Sequence, residues 1–405
     1  MSYTVTRTIQ PVGQGGFYTE IFEIPNQKGE ISTRCVVYDC GSATRSEPKK
    51  TIESALPDDY DLDIDILFIS HFDDDHVNGL AELLKKHRIK RIVIPQIHGY
   101  EWFYILEDSI KRETYQPRGN LIKRFLKSIR NETSQNEIQI LEIAPIDSSK
   151  ERPDRNNYDA QSINELNYQK FWNSGLGFYP FEKEIGWIYI PVNTMDLNKI
   201  NLLKKELAPL FGAEHDTAIW DELFGEQCAK VISENRSKIN AVYKKVFGSS
   251  NASSMCLYSG LDSVNHQSES IIYSESIYKD CWQFCYRRHY WCGRKEDSEA
   301  CLYTGDSNLK DSELRTTLLR ILHQHIKRIG LIQIPHHGSA HNSSNNAFSE
   351  LCEDALPLLF VSYGCYNQYG HPSTRLFGKL RAGGYEIAEV TEKKDSYHME
   401  LIQIR

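Results

Sequence analysis

Apolar and polar positions alternate like a strand from Tyr3 to Ile9, and Phe17 to Ile24 and Arg34 to Asp39 read as further strands. Together they predict a meander of three strands, with the glycine loop Gly13-Gln14-Gly15-Gly16 between the first two. Ile64 to Ser70 is apolar except for Asp65, as in a strand buried on both faces. Asp75 to His87 then carries Val77, Leu80, Leu83 and Leu84 at helical spacing, and Ile89 to Pro95 predicts the next strand. A strand, a polar loop, a helix and a strand make an α/β unit whose functional residues fall at the carboxyl end of the strand.

The pattern changes between about residues 100 and 245, where charged and aromatic positions follow a mostly helical period at Leu121 to Ile129, Leu197 to Leu210 and Ala218 to Phe247. This stretch is expected to be an insertion. Strand patterns return at Met255 to Tyr258 and Ala300 to Thr304, around a second insertion over 261–298 that is rich in cysteine and aromatic residues. A closing α/β portion runs through Leu331 to Pro335, Leu358 to Tyr363 and a helix from about Ser373 to Ala382. The whole of 1–405 is expected to form one domain carrying two insertions.

Composition adds constraints rather than a function. No apolar run approaches the length of a membrane span, and the N-terminal residues alternate like a strand rather than a secretory signal, so a cytoplasmic protein with no membrane partner is expected. Ten scattered cysteines fit buried or free thiols better than a disulfide framework. A net charge of -8 argues against indiscriminate binding of polyanions while leaving room for a local basic groove.

The chemistry concentrates in Ser70-His71-Phe72-Asp73-Asp74-Asp75-His76-Val77-Asn78-Gly79, directly after an apolar strand. Such a loop places His71 and Asp73 toward one metal ion and lets Asp75 and His76, on the first helical turn, reach a second. Helix capping accounts for one aspartate, but not for the histidines. Two later segments also follow apolar strands: Thr304-Gly305-Asp306 and Pro335-His336-His337-Gly338-Ser339. Each is weak alone; in this order they reinforce the first.

Together with Val12-Gly13-Gln14-Gly15, Tyr38-Asp39-Cys40-Gly41, Asn251-Ala252-Ser253-Ser254 and Tyr369-Gly370-His371-Pro372, these segments resemble the metallo-β-lactamase superfamily. Within it they are similar to the hydrolase domain of ComEC-type competence proteins, whose membrane channel has no counterpart here. The resemblance implies an α/β fold, an αββα sandwich with two metal ions at its edge. It implies Asp306 as the bridge between the ions, one of His336 and His337 as a further ligand, and Asp39, Asn251 and Ser254 as supports behind the ligands. The chain departs from most superfamily members in carrying Asp73 where a histidine is usual, and no histidine at the third motif. Oxygen-rich ligation shifts preference from zinc toward harder ions, so two divalent ions, zinc or manganese, are expected.

Two such ions would activate a hydroxide for attack on a phosphodiester. Asp75 would take part at the reacting centre, Ser339 with Asn342 or Ser343 would hold a nonbridging oxygen, and His371 would protonate the leaving oxygen. Arg287 and Arg288, in Tyr286-Arg287-Arg288-His289-Tyr290-Trp291, would pair phosphates of a nucleic acid, or belong to a packed aromatic cluster. Cys281, Cys285, His289 and Cys292 offer a structural zinc site as an alternative. A nuclease is the first expectation. A hydrolase of a small phosphodiester, cyclic nucleotide, ester or lactone is the second, and a non-catalytic metal-binding subunit of a bacterial complex, docked through its insertions, is the third.

Overall fold

A computed structural model of the chain describes residues 2–44, 47–56, 62–96, 138–146, 160–162, 171–194, 254–266, 268–279, 286–292, 297–352, 356–393 and 395–405, with short helical pieces between 201 and 246. The described strands are β1 (Tyr3–Ile9), β2 (Phe17–Pro25), β3 (Ile31–Cys40), β4 (Ile64–Phe68), β5 (Ile89–Pro95), β6 (Gln139–Ala144), β7 (Gln161–Ser162), β8 (Phe171–Asn173) and β9 (Phe178–Tyr179). They continue with β10 (Trp187–Val192), β11 (Cys256–Leu261), β12 (Ser270–Lys279), β13 (Tyr286–Cys292), β14 (Ala300–Tyr303), β15 (Ile329–Gln333), β16 (Leu358–Ser362), β17 (Ile387–Val390) and β18 (Tyr397–Ile404). Six helices matter for the site: α1 (Glu47–Ala55), α2 (Asp74–Val77), α3 (Leu80–Lys86), α4 (Ser312–Leu322), α5 (Asn345–Cys352) and α6 (Thr374–Ala382).

The strands build two sheets, ordered β13-β12-β18-β1-β2-β3-β4-β5-β6-β8 and β17-β16-β15-β14-β11-β10-β9-β7. Each joins an antiparallel meander to a parallel run: β3 to β6 and β8 in the first sheet, β14 to β17 in the second. Their facing sides pack Tyr18, Phe22, Tyr38 and Phe68 against Phe178, Trp187, Tyr189, Tyr303 and Phe360. The outer side of the first sheet is covered through Ile52 and Leu83 of α1 and α3. Leu318, Phe348, Phe377 and Leu380 of α4, α5 and α6 cover the second. This is the expected αββα sandwich, with layers of helix, sheet, sheet and helix.

Two elements differ from the sequence pattern. The helix expected over Asp75 to His87 is broken at Asn78 and Gly79 into α2 and α3. The Asn78 amide bridges the backbone N–H and carbonyl of Ser42, and Gly79 N–H donates to Cys40 O at 2.8 Å. A side chain at Gly79 would put its Cβ 2.8 Å from that carbonyl oxygen, so only glycine permits the approach. Within the segment expected as a mostly helical insertion, the described residues also include β6, β8, β9 and β10, integral to both sheets. Every position of β10 is buried, so it lacks the polar face that makes a strand readable by alternation. The segment 121–129 lies outside the described residues, and the described pieces between 201 and 246 are helical. In the second expected insertion, β12 and β13 extend the first sheet beyond β18.

A polar tie crosses the sandwich. Arg7, fully buried on the inward face of β1, donates to Glu20 Oε1 and Glu400 Oε2 at 2.8 Å each and to Glu299 O at 2.8 Å. Glu20 in turn accepts from Tyr189, Ser259 and Tyr303 of the opposite sheet. Near the far end of the second sheet, buried His325 packs on Tyr258 and sits 3.1 Å from Ser263 Oγ. Burial pushes its pKa down to about 4. Unfolded histidine titrates near 6.5, so below that pH the unfolded chain binds the proton first. The contribution of His325 is complete above about pH 6.5 and lost as pH falls toward 4, about 3 kcal/mol in all. Urea denaturation across this range should show His325→Gln losing less stability on acidification than the parent.

Candidate metal centre

The carboxyl ends of β3, β4, β14 and β15 meet at one edge of the sandwich, and each delivers polar residues there. The Gly13–Gly16 loop makes room for them: Gly41 N–H donates to Gly16 O, Gly16 N–H to Asp75 O, and a Cβ on Gly15 would lie 2.3 Å from Gly41 O. Close backbone packing thus presses β3, this loop and α2 together.

Asp306, buried after β14, stands at the centre. Its Oδ1 lies 3.3 Å from His76 Nε2 and 4.0 Å from His337 Nε2, whereas its Oδ2 lies 3.8 Å from His71 Nε2 and 3.7 Å from His336 Nε2. Asp75 Oδ2 is 3.2 Å from His337 Nε2, and Asp73 Oδ2 is 3.8 Å from His71 Nε2. Ligands held about 2.0 to 2.2 Å from a shared ion adopt such mutual spacings. Two groups, His71 with His76 and Asp306, and Asp75 with His76 and His337, could each hold an ion. Asp73 occupies the N-cap of α2 yet makes no side-chain capping hydrogen bond, so capping does not account for it.

Hydrogen bonds behind the cluster orient the imidazoles. Asp39, in the left-handed region at φ 56°, accepts from Ser70 N–H and Oγ–H at 2.7 Å each and from His76 Nδ1 at 2.8 Å. Because the Ser70 hydroxyl proton goes to Asp39, Ser70 Oγ accepts from His71 Nδ1 at 2.9 Å. His337 Nδ1 donates to Ser362 O at 3.0 Å. All three rings are therefore anchored at Nδ1 and present Nε2 to Asp306 or Asp75, the arrangement of metal-ligating histidines. His71 Nε2 and His76 Nε2 are buried with no hydrogen-bond partner, an expensive state unless something occupies that point.

The electrostatics agree. Burial opposes charge on His76, but Asp306 and Asp39 outweigh it and raise its pKa well above the ordinary value. Burial likewise opposes ionisation of Asp306, and His76, His337 and His71 overcome it and hold the carboxylate well below its usual range. Asp75 is lowered because the hydrogen bond from His337, with His76 nearby, outweighs its burial. Asp306 and Asp75 are thus favoured as anions, whereas burial raises the carboxyl of Asp73.

Other expected residues fall elsewhere. Ser254 lies behind the cluster, its Oγ accepting from Asp306 N–H at 3.0 Å, while Asn251 lies outside the described residues. Ser339, Asn342 and Ser343, expected to hold a phosphate oxygen, are buried and turned to their own surroundings. Ser339 Oγ accepts from His341 N–H, Ser343 Oγ donates to Ser339 O, and Asn342 bonds His336 Nδ1 and Asp306 O. Their hydrogen bonds tie this loop to itself and to Asp306. His371 lies beside His336, with ring centroids 5.3 Å apart, and burial together with His336 pushes its pKa down to about 4. That shift disfavours the protonated ring expected there. Arg287 and Arg288 are on β13, the edge strand five places from β3 in the sheet. At about 4.8 Å per strand, β13 runs roughly 24 Å from β3 within the sheet. His289 and Cys292 are on the same strand, and Cys281 and Cys285 lie outside the described residues.

A family model described as the metallo-beta-lactamase superfamily matches residues 30–148, which include Asp39 and the His71 to His76 loop. Residues 30–148 thus match that superfamily's model within a fold of two packed sheets covered by helices, and Asp306, His336 and His337 join the cluster from beyond the matched segment. A solved structure, a long form RNase Z from yeast, is similar over 97% of this chain at 9% identity and a TM-score of 0.35, and this chain spans only 44% of that one. No curated protein matches the sequence. No helix among the described residues is long and apolar enough to cross a membrane.

Proposed function

We propose that this chain is a metal-dependent hydrolase of phosphodiesters, with nucleic acid as its first candidate substrate and two divalent ions, zinc or manganese, as its cofactors. The observation that carries the reading is the convergence of the Nδ1-anchored imidazoles of His71, His76 and His337 on the two oxygens of Asp306. His71 and Asp73 would hold one ion, Asp75, His76 and His337 the other, and Asp306 would serve both. Ions so placed supply an activated water and stabilise charge that develops on the scissile group.

The chain's own residues do the rest. Asp39 and Ser70 hold the imidazoles in one tautomer, and Asp306 keeps its charge despite burial. Asp73, with its side chain 41% exposed, stands at the rim where a substrate would enter. The phosphodiester class is supported by the aspartate in a position usually held by histidine and by the motif likeness to ComEC-type hydrolase domains. A cytoplasmic setting and protein contacts through the 100–245 and 261–298 segments belong to the same reading; Cys35, Cys40, Cys256, Cys301, Cys352 and Cys365 are free thiols.

The test is incubation of zinc- or manganese-loaded protein with single-stranded DNA, duplex DNA, RNA and bis-p-nitrophenyl phosphate, with and without chelator. Chelator-sensitive cleavage of a polymer and of the small diester is expected. Cleavage of the small diester alone would replace nucleic acid by a small phosphodiester, and no cleavage of either would overturn the reading.

A further inference from the structure

We propose that His336 is also a metal ligand, so that both members of the His336-His337 pair bind, one to each ion. This rests on the two-ion reading above. The likeness to superfamily members implied only one ligand from this pair and left the first ion short of an imidazole, because the third motif lacks a histidine. Ser254, the described residue of that motif, does not fill the gap. Its Oγ is committed to Asp306 N–H, and a Cβ on Gly305 would lie 2.3 Å from it, so it is packed beneath the turn.

His336 approaches from the other side. Its Nε2 is 3.7 Å from Asp306 Oδ2, the oxygen that His71 Nε2 meets at 3.8 Å, whereas His337 is grouped with Asp75 and His76 at Oδ1. The two neighbours separate because both have left-handed backbones, φ 50° at His336 and 53° at His337. Non-glycine residues rarely adopt that conformation, and two in succession persist only where the surroundings impose them. Here His336 N–H donates to Gly305 O at 3.2 Å and Ser339 N–H to His336 O at 2.9 Å, tying the turn to the Asp306 loop. The two rings end 6.1 Å apart and 77° to one another, one for each oxygen of Asp306.

The ring orientation of His336 is fixed as well. Asn342 Nδ2 donates to Asp306 O at 3.0 Å, which leaves Asn342 Oδ1 to accept from His336 Nδ1 at 3.1 Å. Nε2 is then the lone-pair nitrogen and faces Asp306, as in the other three histidines. The first ion would thus have two imidazoles with Asp73 and Asp306, a mixed set that suits borderline ions such as zinc as well as manganese.

The experiment measures ion content and affinity in the purified full chain, by elemental analysis and calorimetric titration, for the parent, His336→Ala and Asn342→Ala. His336→Ala should keep one ion at parental affinity and weaken the other about 100-fold, and Asn342→Ala should weaken the same ion by about 10-fold or more. A parent with two ions and a folded His336→Ala that binds both with unchanged affinity would overturn the assignment of His336 and leave the two-ion reading standing. A parent that takes up no ion would overturn both. Should the alanine variant misfold, carbethoxylation of the parent decides: His336, with its side chain 30% exposed, should react in the metal-free chain and be protected when both ions are bound. Equal labelling in both states would also overturn the proposal.

Discussion

Replacing Asp306 by asparagine should cost the protein both ions and reduce phosphodiester hydrolysis by about 1,000-fold or more. The side chain keeps its shape, and the backbone bonds of residue 306 to Ser254 and Asn342 do not involve the carboxylate, so the fold should survive. What disappears is the charge that faces four imidazoles from two oxygens. Asparagine offers one carbonyl oxygen and an amide that binds no cation, so neither ion keeps its shared ligand. A second readout separates lost binding from lost chemistry. An ion present at 100 times its dissociation constant stabilises a folded chain by about 2.7 kcal/mol, so zinc or manganese should raise the melting temperature of the parent and leave that of Asp306→Asn unchanged. A variant still stabilised by metal would show that Asp306 is not the shared ligand.

The largest expected effect on stability is at Arg7, far from any reaction. Arg7→Met leaves Glu20 and Glu400, both buried, without the guanidinium that each meets at 2.8 Å. Breaking one partner out of a buried ion pair typically destabilises by about 3 to 5 kcal/mol, because the remaining charge has no solvent. Adding Glu20→Gln and Glu400→Gln to Arg7→Met should recover part of that loss. Urea denaturation followed by circular dichroism checks both, and an Arg7→Met variant within about 1 kcal/mol of the parent would show the tie between the sheets to be dispensable.

Arg7 also shows how far the sequence reaches. It lies in phase with Tyr3, Val5 and Ile9 on β1, so alternation alone puts it on the inner face, but nothing local says that Glu20, Glu400 and the opposite sheet will meet it there. A strand with one polar face, such as β1, is legible, as is the helix start at Ser373, whose hydroxyl accepts from Leu376 N–H. Fully buried β10 is not, because a strand covered on both sides has no polar period to read.

The site divides the same way. His71 to His76 is a local pattern, compact enough that its ligands need little help from the fold. The separation of His336 from His337 depends on two consecutive left-handed residues, which no pattern of residue types announces. Ser339, Asn342 and Ser343 follow the histidine pair and are expected from the sequence to hold a phosphate oxygen. Three-dimensional closure instead turned them inward, where Asn342 fixes a histidine. Arg287 and Arg288 draw notice as basic residues among aromatics, and strand order sets β13 at the sheet edge.

If Asp306 and the surrounding histidines and aspartates form a two-ion centre, the metal content of the purified chain shows it most directly. After saturation with zinc or manganese and removal of excess ion, elemental analysis should find two ions per chain, with hydrolysis of bis-p-nitrophenyl phosphate abolished by chelator and restored by metal. A chain that retains only trace metal, and whose activity is indifferent to chelator, would contradict the account.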